Sequence, residues 1–272
     1  TKVVSFNAED NQKNYFDIGD VSIDEIIYKV LSHPTVGSKN FLVTIGDRSV
    51  GGLTARDQMV GPWQTPVSDV SAVSQDYVGY LGYALALGER APIAIYDSCA
   101  SVRISFAELI TNILAAPVSS LSDINICANW MASSGSKNQD GSLFYAVDSL
   151  RNICNKFNIT IPVGKDSLSM KSDSLTSSCA SDVISPVTVN LSGVAKINDV
   201  RSVWTPALDR DIEDSILIFI DLSNGKARLG ASIFSSIQEG VIDEVPDFES
   251  SNLLDYFVNA CNKIRDYEKQ LL

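Results

Sequence analysis

The chain has 272 residues, of which 45% are hydrophobic and 20% charged, a size and composition that allow one large globular domain or two small ones. Its net charge of −12 argues against nucleic-acid binding, which needs a basic surface. No apolar run approaches the roughly 20 residues that span a bilayer, so a membrane protein is not expected.

Histidine and cysteine usage narrows the available chemistry. The single histidine, His33, precedes a proline, which argues against catalysis by a histidine base and against a three-histidine zinc site. The five cysteines show no C-x-x-C spacing, so we expect reduced, mostly buried thiols in a cytoplasmic protein. Residues 1–14 are polar and carry no signal-peptide core. Because the chain begins with Thr1, we expect a part of a longer polypeptide.

The first third of the chain predicts alternating short elements. After an irregular lead-in over 1–20, residues 21–31 have helical spacing, with Asp20 or Ser22 as N-cap. We predict a strand over 40–45, a helix over 77–88 and a short buried strand over 91–96. Residues 46–52 contain three glycines, but their spacing fits neither a Walker loop nor a dinucleotide fingerprint. A turn between strands and a phosphate loop both stay open for this segment.

The most informative predicted helix covers residues 98–116 and ends before Pro117. Its apolar positions would bury most of its circumference: Val102, Phe106, Leu109, Ile110, Ile113 and Leu114. Its polar positions recur at spacings of four, three and four along one narrow stripe: Ser101, Ser105, Glu108 and Asn112. A glutamate on a mostly buried helix is costly unless it is paired or binds a cation. Glu108 and Asn112 could therefore share Mg²⁺, and a solvent-facing stripe is the alternative.

The rest of the chain predicts a layered α/β structure. The predicted elements are a strand over 122–127, a helix over 142–157, a strand ending near Pro162, a serine-rich exposed loop over 172–185, strands over 187–197 and 215–222, a helix over 227–236 and an amphipathic helix over 251–272. On the last helix, one face carries Leu253, Leu254, Phe257, Val258, Cys261 and Ile264.

A polar cluster follows the strand that ends near Pro162. Proline gives no N–H to a ladder, so pairing should stop there, and Gly164 would let the backbone approach a ligand. Asp166 could hold a hard cation, Lys165 could face phosphate and Ser167 and Ser169 could donate hydrogen bonds. Ligands bind at such strand ends in open α/β folds, but a polar turn after a buried strand has the same composition.

Several sequence blocks, in order, resemble the large, single-chain phosphoribosylformylglycinamidine synthases. The blocks are residues 46–52, 55–64, 66–69, 88–90, Glu108 with Asn112, 128–132 and 162–171, with a looser likeness over 185–222. The resemblance implies the aminoimidazole ribonucleotide synthetase-like α/β (α+β) fold of two subdomains. It implies a linker over 1–39, an N-terminal sheet-forming subdomain over 40–184 and the start of a C-terminal α/β subdomain over 185–272.

The resemblance also implies site residues. In this family the synthase region is a duplicated pair of halves with a catalytic and an auxiliary nucleotide site, and this chain is similar to the second half. Asp69, Glu108 and Asn112 would bind Mg²⁺ at the auxiliary site. At the catalytic site, Asp166 and Ser167 would be catalytic. The expected ATP- or substrate-binding residues are Asn129, Gly164, Lys165, Asp166, Ser167 and Ser169.

The implied activity converts formylglycinamide ribonucleotide, glutamine and ATP to the amidine, ADP, phosphate and glutamate. The implied cofactors are Mg²⁺ and ATP or ADP. The implied partners are the first half of the synthase region and the glutaminase domain of the same polypeptide, without which this chain alone would be inactive. We also expect a homodimer of this chain, because a half that pairs through its sheet exposes an edge or an apolar face. The alternative function is a non-catalytic Mg-nucleotide-binding scaffold; a superfamily relative acting on another acid or amide fits the 128–132 and 164–167 blocks less well.

Overall fold

The computed structural model describes residues 22–46, 48–136, 138–172, 183–208, 211–212, 214–237, 244–248 and 251–271. The helices are α1 (Ile23–Ser32), α2 (Asn40–Ile45), α3 (Ser98–Ile113), α4 (Gln139–Phe157), α5 (Ile233–Ile237) and α6 (Ser251–Leu271). The strands are β1 (Thr54–Arg56), β2 (Val70–Ser74), β3 (Gly82–Gly88), β4 (Asn125–Met131), β5 (Thr160–Ser167), β6 (Lys171–Ser172), β7 (Val183–Ile184) and β8 (Thr188–Ile197). Short 3-10 helices occupy Ala91–Ile95, Leu121–Asp123 and Val200–Ser202.

A six-stranded mixed sheet organises the chain, with strand order β1-β2-β3-β8-β4-β5. All neighbours are antiparallel except β4 and β5, which run parallel and are joined through α4. The α/β architecture predicted from the sequence is therefore confirmed. Strand β8 follows the predicted subdomain boundary at 184–185, yet lies between β3 and β4, so the sheet continues across that boundary. The division into three domains stays a prediction.

Helix α3 packs against one face of this sheet and forms the centre of the core. Asp97 caps its N-terminus by accepting hydrogen bonds from the N–H groups of Cys99 and Ala100, at 2.8 and 2.9 Å. The six apolar positions predicted to be buried are all buried: Val102, Phe106, Leu109, Ile110, Ile113 and Leu114. Close contact with the sheet depends on glycine, because a Cβ at Gly88 would lie 2.0 Å from the carbonyl oxygen of Ser105.

The opposite sheet face, which we call the open face, carries exposed side chains. Burial alternates strictly along β3: its small residues face α3, whereas Tyr83, Leu85 and Leu87 face outward. Register places Val194 of β8 beside Leu85. Cys127 of β4 lies beside both Ser192 of β8 and Val163 of β5, so Val163 is on the same face of the sheet. The open face is thus partly apolar and no described element covers it.

Four predicted elements are wrong. Residues 40–45 form helix α2 and residues 91–95 a 3-10 helix with Pro92 in its first turn, because short apolar runs do not distinguish helix from strand. Residues 82–88 form β3 and not the end of a helix, because small apolar residues inside and large ones outside conceal the alternation. Residues 215–222 form no strand and residues 216–220 are exposed, since no described strand pairs with them.

The remaining boundaries shift by several residues. Helix α5 is shorter than predicted, and β4 begins at Asn125 after a 3-10 turn. Strand β5 does not end at Pro162 but pairs with β4 through Ser167. The β4–β5 register is irregular between Asn125 and Cys127, opposite Pro162, so the missing N–H falls where the ladder is interrupted. Residues 173–182 of the predicted serine-rich loop lie outside the described residues. Among the residues described, no helix has both the length and the apolarity to cross a membrane.

Helix α6 closes the core through Leu254, Cys261 and Arg265, whereas Ile264, predicted on its buried face, is 51% exposed. The Arg265 guanidinium donates hydrogen bonds to the carbonyl oxygens of Leu114 (3.0 Å), Ala115 (2.6 Å) and Ser202 (2.8 Å). It also stacks on Trp204, 3.7 Å from the ring centroid. Arg265 therefore caps the C-terminal end of α3, where carbonyl groups lack helical partners.

Replacing Arg265 with methionine should lower the free energy of unfolding by about 2 kcal/mol, because hydrogen bonds from a charged donor to these carbonyls are lost. Arg201→Met is the matched control, since Arg201 is exposed and its main ion pair, with Asp199, lies at the surface. Urea denaturation of both variants measures the difference. Equal stability of the two variants would contradict the capping role.

Candidate functional site

A cleft of about 660 Å³ lies where β2 begins and β3 ends. Its walls come from the segment before β2 (Ser68 and Asp69), the end of β3 (Leu87, Gly88 and Glu89), α3 (Glu108 and Asn112) and β8 (Asn190 and Ser192). The three predicted Mg²⁺ ligands, Asp69, Glu108 and Asn112, thus line one cleft although they come from two distant segments. The alternative of a solvent-facing stripe fails for Ser101 and Ser105, which are buried.

Glu108 is half-buried in this cleft, and its carboxylate accepts a hydrogen bond of 2.8 Å from the backbone N–H of Glu89. Burial raises the pKa of Glu108 above its ordinary value, and the neighbouring carboxylates of Glu89 and Asp69 add to the rise. The hydrogen bond from Glu89 and the charge of Arg90 oppose it. A carboxylate in this environment gains from a bound cation.

Asn112 and Ser101 link α3 to the end of β3 and the segment that follows it, whereas Ser105 bonds within the helix. The Asn112 amide donates to the carbonyl oxygen of Leu87 at 3.2 Å, so its amide oxygen remains as an acceptor, and Asn112 lines the cleft. Ser101 donates to the carbonyl oxygen of Arg90 at 2.8 Å, and Ser105 to that of Ser101 at 2.8 Å. The stripe therefore has a structural part near its start and a cleft-lining part at Glu108 and Asn112.

The donor set fits Mg²⁺. Within the described ranges, no three histidine, cysteine, aspartate or glutamate side chains are grouped as a self-sufficient metal centre. Mg²⁺ does not need one, since it keeps several waters and binds through one or two carboxylates together with phosphate oxygens. Asp69, Glu108 and the amide oxygen of Asn112 match that pattern.

The other predicted site residues lie on β4 and β5, except Ser169, which follows β5. Register places Asn129 beside both Asn190 of β8 and Lys165 of β5, so all three side chains share the open face. Lys165 donates a hydrogen bond to Ser167 on the same face. Because Asn190 also lines the cleft, a continuous polar row leads from the cleft across β8 and β4 to β5.

Three of the predicted residues do not join this row. Asp166 is exposed and alternates to the opposite face of β5 from Lys165 and Ser167. Ser169 lies beyond β5 in an isolated bridge with Ser133. Gly164 has a packing role, because a Cβ there would lie 2.7 Å from the carbonyl oxygen of Ala128.

Sequence reasoning missed several cleft residues. Asn190 and Ser192 alternate with buried Val189 and Leu191 along β8, so their polar periodicity was a detectable signal. Ser68 precedes the predicted ligand Asp69, and Glu89 lies in the 88–90 sequence block. Nothing in the local pattern of either residue predicted that these two segments meet in one cleft. His33 is not among the residues that line the cleft, and its imidazole accepts a hydrogen bond from the N–H of Thr35.

The helix-backed mixed sheet, with an acidic cleft at one end, is an α/β domain of the PurM-like fold. Residues 38–196 match the family model described as the FGAR-AT PurM_N-like domain. Because the match covers more than half of the chain, the chain belongs to this family.

Solved structures of low identity resemble the chain. A phosphoribosylformylglycinamidine synthase II from Thermotoga maritima is 20% identical with a TM-score of 0.42, covering 59% of this chain and 24% of that one. T. maritima PurL complexed with ADP is 18% identical with a TM-score of 0.46, covering 74% of this chain and 30% of that one. T. maritima PurL complexed with FGAR is 18% identical with a TM-score of 0.44, covering 62% of this chain and 24% of that one. This chain thus spans under a third of those relatives' length.

Proposed function

We propose that the chain is part of a phosphoribosylformylglycinamidine synthase of purine biosynthesis, corresponding to the second half of the synthase region. The single observation that carries the proposal is the meeting of Asp69, Glu108 and Asn112 in one cleft of a chain that belongs to the FGAR-AT family. The reaction joins ammonia from glutamine to formylglycinamide ribonucleotide at the expense of ATP. The proposal includes a cytoplasmic location.

The cleft would hold a Mg-nucleotide, with ADP as the auxiliary ligand. Asp69 and Glu108 would bind Mg²⁺ through carboxylate oxygens and Asn112 through its amide oxygen. When bound, Mg²⁺ neutralises phosphate charge. Burial raises the pKa of Glu108, which supports the assignment, since a cation would compensate the burial of that carboxylate.

The catalytic site would use the β5 side of the chain. In the proposed reaction, the amide oxygen of the substrate takes the γ-phosphoryl group of ATP, and ammonia then displaces phosphate. Such transfer depends mainly on positioning and charge neutralisation, so Lys165, Ser167 and Asn129 suit it as phosphate- and substrate-facing groups. Asp166 and Ser169 would act from the edge of the sheet formed by β5 and the residues after it. The Asp166 side chain is on the face of β5 opposite to that of Lys165 and Ser167.

A partner is needed in this account. The open face exposes Leu85, Leu87 and Val163, which supports docking of a second domain there. The proposed occupant is the first half of the synthase region, with the glutaminase domain supplying ammonia. In their absence, a second copy of this chain would cover the same face, and the chain alone would be inactive.

Reconstitution tests the catalytic role. Mixed with the first half of the synthase region, the chain should support ammonia-dependent amidine formation. Asp166→Ala should reduce the turnover by at least about 100-fold, the size of loss expected when one group that stabilises charge in the transition state is removed. Asp148→Ala is the control, because Asp148 is a partly exposed aspartate on α4 that pairs with Arg151. Unchanged turnover with Asp166→Ala would remove Asp166 from the catalytic site.

The second candidate is a scaffold that holds Mg-nucleotide without turnover. The cleft favours it, because its three ligand residues all come from this chain, whereas the β5 residues are spread over two faces. Reconstituted enzyme distinguishes the two functions. Tight ADP binding together with turnover that is insensitive to Asp166→Ala supports the scaffold.

A further inference from the structure

A second cavity lies on the other side of the segment that connects β1 to β2. It has a volume of about 380 Å³ and is lined on one side by Arg56, Asp57 and Gln64 and on the other by Thr205 and Ala207. Gln58, the next residue along, lines the Mg-nucleotide cleft instead. The connecting segment is closed on itself by the hydrogen bond from the N–H of Ser68 to the carbonyl oxygen of Gln58, at 2.8 Å. The two cavities are therefore neighbours separated by this segment.

Arg56 is the unusual member of the cavity wall. Its Nε atom is buried and has no hydrogen-bond partner. Within the described ranges, its side chain also makes no ion pair. Burying the Nε–H of a guanidinium without an acceptor costs free energy, so Arg56 is expected to have a partner that the described residues do not supply.

The polar groups beside Arg56 are already occupied. Asp57 pairs with Arg48, whose Nε lies 3.0 Å from its carboxylate, and it also accepts from the N–H of Gln58 at 2.7 Å. The Gln64 side chain accepts from Arg48 and donates to the carbonyl oxygen of Gly61. Among the residues that the structure describes, no carboxylate therefore pairs with Arg56, although the chain contains 33 acidic residues.

We propose that this cavity binds a small oxyanion, a phosphate group or a carboxylate, through Arg56. The guanidinium offers planar paired donors that match either group, and the hydroxyl of Thr205 on the opposite wall is a further donor. The volume is at the low end of the roughly 300–1,000 Å³ of small-molecule pockets, which suits inorganic phosphate or a compact phosphate ester. The proposal is independent of the function proposed for the Mg-nucleotide cleft.

Calorimetry on the 272-residue chain tests the proposal, with EDTA present so that metal-dependent binding elsewhere is absent. Inorganic phosphate, ribose 5-phosphate and acetate are the three probes, and they separate a free phosphate, a phosphate ester and a carboxylate as ligands. We expect at least one to bind, and Arg56→Gln to weaken it by at least about tenfold, as loss of a charged hydrogen bond predicts. Arg151→Gln removes the same charge from an exposed position on α4 and should change nothing.

A second variant keeps the charge of Arg56 and fills the cavity itself. Ala207→Leu occupies the opposite wall and should also weaken binding by at least about tenfold, as expected when a ligand is excluded by overpacking. Thermal unfolding of each variant verifies that it is folded. The proposal is overturned if none of the three probes binds the unaltered chain, or if the folded Arg56→Gln or Ala207→Leu variant binds as tightly as the unaltered chain.

Discussion

Glu108→Gln is expected to reduce the affinity of the chain for Mg-ADP by more than about 100-fold, because even groups that only support a metal ligand cost about 10- to 100-fold when they are lost. Glutamine keeps the size of the side chain and can still accept the hydrogen bond from the N–H of Glu89. The change therefore removes charge at the cleft and little else. Calorimetric titration with ADP, in the presence and absence of Mg²⁺, measures the loss.

The matched control is Glu25→Gln. Glu25 is exposed on α1, where it pairs with Lys29 one turn later at 2.7 Å, and it lies outside both cavities. It should leave Mg-ADP affinity unchanged. Because burial raises the pKa of Glu108, the neutral glutamine should not destabilise the metal-free protein. Equal Mg-ADP affinity of the two variants would remove Glu108 from the site.

Gly88→Ala is expected to destabilise the protein by about 3 kcal/mol or more, at the upper end of overpacking costs. The added Cβ would lie 2.0 Å from the carbonyl oxygen of Ser105 and 2.8 Å from the N–H nitrogen of Leu109. Both are backbone atoms of α3, so no side chain can move aside. The helix has to shift from β3, which moves Glu108 and Asn112 away from Asp69 and should weaken Mg-ADP binding as well.

Gly46→Ala is the control for this change. A Cβ at Gly46 meets nothing within 4 Å, and its φ of −96° is open to alanine. Urea denaturation of both variants should show a lower free energy of unfolding only for Gly88→Ala. A stable Gly88→Ala protein with unchanged Mg-ADP affinity would show that close packing of α3 on β3 does not position the site.

The sequence predicts the cleft residues best on α3, where the helical periodicity and the metal-binding side chains occur in the same segment. On α3, the apolar positions predicted the burial of the helix, and the narrow polar stripe predicted that Glu108 and Asn112 could share a cation; both residues line the cleft. Asp69 was found only through the family resemblance, because its strand neighbours carry no metal-binding pattern of their own. The helical spacing of α4 and α6 also predicted these two helices correctly. It did not predict the burial of Arg265 on α6, because that burial depends on carbonyl groups far away in sequence.

What could not be predicted depends on tertiary pairing. Strand β8 inserts between β3 and β4, and this insertion brings Asn190 to the cleft from a distant part of the sequence. Strand β3 reads as a helix because both of its faces are apolar, one with small residues against α3 and one with large residues on the open face. Strand β5 continues past Pro162 because an irregular register absorbs the missing N–H.

The location of a bound metal–nucleotide tests the central claim most directly. Crystals of the chain grown with Mn²⁺ and ADP, measured for anomalous scattering, report the position of the metal without assumption. The account predicts a peak bound by Asp69, Glu108 and Asn112, at about 2.0–2.2 Å from their oxygens, as for octahedral Mg²⁺-like sites. A peak at Asp166 on β5, with the cleft between β3 and α3 empty, would contradict it.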